Sequence, residues 1–139
     1  MNLHAGHSPF QRPAGLALRA IVTVILVVYS AACLSGSDRV ANDLKLVAIS
    51  PSLMVPLGLT MLVCAITYAL PPTAFIGAIL VTGVLGGAIL THLRLLEFGS
   101  LAEIACVLLG IFAWAGLWLT DFRVRALMPL RTEKRGAEG

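Results

Sequence analysis

The residues of this chain best suited to shared chemistry are His92, Arg94 and, nine positions beyond Arg94, Glu103. A carboxylate beside an imidazole holds a proton or a polar ligand near neutral pH, and a guanidinium adds a fixed positive charge. Ionisable groups at the ends of apolar spans often mark functional sites, although simple interfacial anchoring is the more ordinary role of such residues. His92, Arg94 and Glu103 together form the candidate polar ligand site, and no catalytic residue is assigned. Other reactive side chains are scattered. His4 and His7 lie three apart with no further ligand nearby, so no metal site is expected. Cys33, Cys64 and Cys106 show no CxxC or Cys/His ligand spacing and sit in or beside apolar runs, as small buried hydrophobes do. A Cys33–Cys106 disulfide is the less favoured alternative.

These groups sit on a strongly apolar chain. Of its 139 residues 58% are hydrophobic and only 12% charged, with mean hydropathy +0.93, whereas about a quarter of an ordinary soluble domain is charged. A chain this short cannot bury so much apolar surface in its own core, but a lipid bilayer solvates it. The formal charge of +3 does not indicate nucleic acid, because the basic residues flank apolar runs and no aromatic-rich basic groove lies between them. The bilayer is the expected partner, with other membrane proteins or a second copy of the chain as further candidates.

The expected fold is all-α, a four-transmembrane-helix bundle with a short interfacial helix between the first two spans. Residues 1–15 show no hydrophobic period and read as a mobile tail. Eighteen uncharged residues separate Arg19 from Asp38 and place a first span at about 16–35. A cleaved leader, with Ser30-Ala31-Ala32 before Cys33 as its cleavage site, is second to a retained anchor, since the later segments already commit the chain to the membrane. Val40, Leu44 and Val47 recur at helical spacing in the polar connection that follows, predicting the interfacial helix; Ser35 and Asp38 have capping-box-like spacing. From Leu46 to Leu93 no Asp, Glu, Lys or Arg occurs in 48 residues, twice what one span of about 20 requires. Pro71-Pro72 divides that run, because a proline disfavours helix in the residue before it and suits a helix start. Spans at about 53–70 and 73–91 result, followed by a fourth at 103–120 and a basic tail at 121–139.

Four spans put both termini on one side. Seven of the ten Lys and Arg lie in the tails and three (Arg39, Lys45, Arg94) on the other side, so the positive-inside rule makes both termini cytoplasmic. Gly83 and Gly87 on the third span, and Cys106 and Gly110 on the fourth, are small residues four apart, the spacing that lets membrane helices approach closely. Close packing of those two spans is expected, bringing His92, Arg94 and Glu103 to one mouth of the bundle.

The order of motifs adds a family resemblance. Ser35-Gly36 after the first span, MVPLG opening the second, YALPPTAFIGAILVTGVLGGAILTHLR, and VLLGIFAWAGLWLTDFRVRALMPLR resemble the DoxX-like family of small four-helix membrane proteins over about residues 20–131. Members usually carry a lysine shortly after the Ser-Gly, where this chain reads SGSDRV, so no role of that lysine carries over. The wider group is similar to a subunit of a thiosulfate:quinone oxidoreductase, and other relatives are linked to redox stress. The resemblance implies an accessory or interaction component of a membrane redox or stress-response system. Thiosulfate oxidation is not transferred, for the chain has no haem-attachment motif, paired redox cysteines or nucleotide fingerprint. The alternative is a quinone- or lipid-linked oxidoreductase component using the His92, Arg94 and Glu103 mouth, with a quinone as its one cofactor candidate. A small transporter ranks third, since no span carries an ionisable residue at its centre.

Overall fold

The computed structural model describes residues 11–95, 99–121 and 124. His4, His7, Glu97 and most of the basic tail lie outside the described residues. Among the described residues the protein is all-helical: α1 (Gln11–Leu34), α2 (Asp38–Leu46), a 3-10 turn (Pro51–Leu53), α3 (Met54–Ala69), α4 (Ala74–Arg94) and α5 (Leu101–Thr120). Four of these helices are long and apolar enough to cross a membrane. Large hydrophobic side chains face outward on each of them, including Val24, Val28, Leu59, Val63, Ile76, Leu90 and Ile111. Exposure on that scale, on every face of the bundle, suits lipid rather than water.

The long helices pack in a ring, α1 against α3 and α5, and α4 against α3 and α5. Since they alternate in direction, one end of the bundle holds the start of α1, the Pro71-Pro72 turn and the end of α5. We call this the terminal end. The opposite end carries α2 and the α4–α5 connection. A buried cluster including Val22, Tyr68, Ala78, Val81, Ala113 and Leu117 fills the terminal half, and a smaller one of Cys33, Val40, Leu44 and Met54 seats α2 on α1 and α3.

Several boundaries differ from expectation, among them the start of α5, at Leu101 rather than 103. α1 begins at Gln11, so residues 11–15 of the expected tail are helical. α4 continues to Arg94, placing His92 in its last turn. Capping at α2 also differs: Ser37, not Ser35, is its N-cap, and the Ser35 hydroxyl donates back to the Ala32 carbonyl (3.1 Å). The chain leaves α1 through a Schellman motif, in which Gly36 takes φ +69° while its N–H donates to Cys33 O and Ser37 N–H donates to Ala32 O. α2 ends the same way, with Ala48 N–H on Lys45 O and Ile49 N–H on Leu44 O. Here Ala48 occupies the left-handed position at φ 56°, a strained setting for a residue with a Cβ.

Helix contacts are closest at glycines other than those expected. A Cβ at Gly77 would collide with the backbone of Tyr68, one at Gly58 would lie 2.9 Å from Cys33 Cβ, and one at Gly116 would lie 3.2 Å from Gly15 O. These positions set the α3–α4, α1–α3 and α1–α5 crossings. Gly83 and Gly87 have nothing within 4 Å of a built Cβ, so they do not form the α4–α5 contact. That contact runs instead through the Phe75–Trp114 edge-to-face pair (centroids 6.0 Å) and a hydrogen bond from Trp114 Nε1 to Thr82 Oγ1 (2.9 Å).

Arg19 braces the terminal end. The last carbonyls of a helix lack intrahelical partners, and those of α3 are met one by one. Ile66 O accepts from Leu70 N–H (3.2 Å) and Thr67 O from the Thr73 hydroxyl (2.8 Å). Arg19 Nη2 donates to Tyr68 O (3.0 Å) and Ala69 O (3.5 Å), while Nη1 donates to Thr120 Oγ1 (3.4 Å). The guanidinium also lies 5.5 Å from the Tyr68 ring centroid, and the Tyr68 hydroxyl donates to Ala113 O (2.8 Å). A cation at the negative end of the α3 dipole thus ties α1, α3 and α5 together.

Candidate functional site

The α2 half of the bundle is hollow. A cavity of about 590 Å³ opens there with walls from α1, α2, α3, α4 and α5, within the range that holds a small organic ligand. Its apolar wall includes Leu26, Leu57, Met61 and Leu85, and α2 with its exit closes one side through Leu44, Val47 and Ile49. On α4 the lining runs from Val84 to His92, a depth of about 12 Å at 1.5 Å per residue.

Small residues create this space. Gly87 and Ala88 of α4 and Ala102 and Ala105 of α5 all line it, and their short side chains leave it room. Gly110 has one neighbour within 4 Å of a built Cβ, Leu85 Cδ1 at 3.9 Å, and Cys106 is half-buried on the wall. Small residues of α4 and α5 thus line open space at the α2 end.

The polar groups on the wall are few: Tyr29, Thr91, His92 and the Cys106 thiol. The Thr91 hydroxyl donates to Gly87 O (2.8 Å), leaving its oxygen to accept from a ligand. Tyr29 and His92 belong to α1 and α4, so a molecule between them would be held from two sides. No Asp, Glu, Lys or Arg is among the described residues of the lining, and the wall thus suits an uncharged polar group on an apolar body.

The three candidates from the sequence part company here. His92 lines the cavity, whereas Arg94 is exposed at the end of α4 and is not among the lining residues. Glu103 is taken up by α5: its carboxylate accepts from Gly99 N–H (2.8 Å), while Ser100, the N-cap, accepts from Glu103 N–H (3.2 Å). This is a capping box displaced by one residue, readable as Ser-x-x-Glu at 100–103. Tyr29 and Thr91 had no such sequence signal, because their facing depends on how α1 and α4 rotate in the bundle. All three cysteines are free thiols, and no group of three or more potential metal ligands occurs among the described residues.

On the lipid-facing side of the same helices lies a groove of about 690 Å³, bounded by Gly86 and Ile89 of α4 and Val107, Ile111 and Trp114 of α5. Leu85 and Cys106 line both the groove and the cavity. Comparison with family models, curated proteins and solved structures finds no match.

Proposed function

We propose that this integral membrane protein binds a small amphiphile, a quinone or another lipid with an uncharged polar head, in the cavity at the α2 end. The carrying observation is an apolar chamber about 12 Å deep whose few polar groups are Tyr29, Thr91, His92 and the Cys106 thiol, with no Asp, Glu, Lys or Arg among the described residues of its lining. A carbonyl or hydroxyl head hydrogen-bonds to such groups, and the aliphatic wall takes the body. The DoxX-like resemblance over residues 20–131 supports the same reading through its quinone-linked relatives. The charge bias of the termini supports placing both of them on the cytoplasmic side of a bacterial plasma membrane, with the cavity toward the outer face.

Binding of a decyl-chain quinone to the purified protein, followed by quenching of Trp114 and Trp118 fluorescence, tests the site. His92→Ala should weaken binding about threefold to tenfold, the worth of one hydrogen bond. Glu103→Gln should bind as wild type, since that carboxylate serves the α5 cap. Equal affinity in wild type, His92→Ala and Tyr29→Phe would remove the site assignment.

A second reading, an accessory component of a membrane redox or stress-response system, is favoured by Gly83, which is exposed on α4 with open space around it. A partner helix approaches closely at such a position. Copurification from native membranes tests it, and repeated recovery of the chain alone with intrinsic turnover would defeat it.

A further inference from the structure

We propose that the occupant of the cavity is a single-chain amphiphile longer than the cavity, whose chain leaves sideways between α4 and α5 and lies in the lipid-facing groove. This rests on reading the cavity as a ligand site and specifies both the class of ligand and its path. The two spaces meet at a thin wall, for Leu85 and Cys106 are the residues common to them. Leu85 reaches across to α5, its Cδ1 3.9 Å from where a Gly110 Cβ would stand, so a chain on this path passes where the side chains of Leu85 and Cys106 now stand.

The axial offset of the two spaces fits a chain with one polar end. On α5 the cavity spans Ala102 to Leu109, and the groove spans Cys106 to Trp118 toward the terminal end, about 18 Å of helix. A head beside Tyr29, Thr91 and His92 sits at the α2 end, and a chain passing Leu85 continues toward mid-membrane. That is the direction an amphiphile anchored near one membrane surface takes. The cavity alone, about 12 Å deep, would hold only a short chain extended along it. The groove is built for continuity with that chain: Gly86 opens its α4 edge while the adjacent Gly87 opens the cavity.

These neighbouring glycines supply the test. Neither has any heavy atom within 4 Å of a built Cβ, nor has Gly83, which lines neither space, so a leucine at each position enters open volume. Full-length wild type and Gly83→Leu, Gly86→Leu and Gly87→Leu are reconstituted in phosphatidylcholine vesicles. Each is irradiated with octanol or octadecanol carrying a chain-terminal diazirine, and labelled residues are mapped by mass spectrometry. Expected in wild type and Gly83→Leu is octanol labelling at Leu57 or Met61. Octadecanol should label Ile111, Trp114 or Trp118 at least fivefold above Leu59 on the lipid-facing side of α3, and excess unlabelled octanol should abolish that excess. Gly87→Leu should remove both patterns, and Gly86→Leu only the octadecanol one. Octanol labelling of the cavity with no octadecanol excess in the groove, or an excess indifferent to Gly87→Leu, overturns the chain path and leaves the cavity reading standing. Absence of Gly87-dependent octanol labelling in the cavity overturns both.

Discussion

Arg19 shows how one residue's setting outweighs its type. By sequence it is one of seven cations that orient the termini; in the fold it supplies two α3 carbonyls and the Thr120 hydroxyl with donors at once. Hydrogen bonds to a charged group are worth about 1.5–3 kcal/mol, and removing Arg19 leaves Tyr68 O and Ala69 O without their partner. Arg19→Ala should therefore lower the unfolding midpoint in mixed micelles, with Arg19→Lys falling between it and wild type because an ammonium cannot replace the planar fork. An unchanged midpoint in Arg19→Ala would show that lipid or water serves those carbonyls equally well. Glu103 teaches the converse. It is an acid suited to a site, yet Ser100 three residues earlier marks it as a capping residue, and the cap is where the structure puts it.

At the scale of helices, spacing identified glycines able to pack without identifying the ones that do. Gly77 lies against the backbone of Tyr68 at the α3–α4 crossing, while Gly83, six residues later on the same helix, faces open space. Added volume at a crossing costs about 1–3 kcal/mol through strain, whereas alanine in an open helical site gains up to about 1 kcal/mol of helix propensity. Thermal unfolding of Gly77→Ala should thus shift downward and that of Gly83→Ala stay level or rise. Equal shifts for the two variants would contradict the crossing geometry. α2 was legible earlier than any other packing detail, since Val40 and Leu44 at helical spacing have few ways to be buried beside so polar an opposite face, and both are buried.

Over the whole molecule, close packing at the terminal end gives way to a cavity at the α2 end, and one of the three thiols lies on its wall. Cys33 and Cys64 are 1% and 2% exposed, while Cys106 is half-buried between cavity and groove. A lipid-soluble maleimide should label one thiol per folded chain, at Cys106, and three in denaturing detergent; labelling of Cys33 or Cys64 before unfolding would contradict this packing. The four spans, the helix between the first two and the hairpin at Pro71-Pro72 were all determined by sequence alone, because hydropathy summed over about 20 residues and the backbone restriction of proline act locally. Which glycines touch, that Arg19 braces three helices and that Tyr29 joins His92 on one wall were decided only by tertiary structure. Each of these depends on the rotation of every helix about its axis and on the crossing it makes, quantities set by the packing of all four helices together.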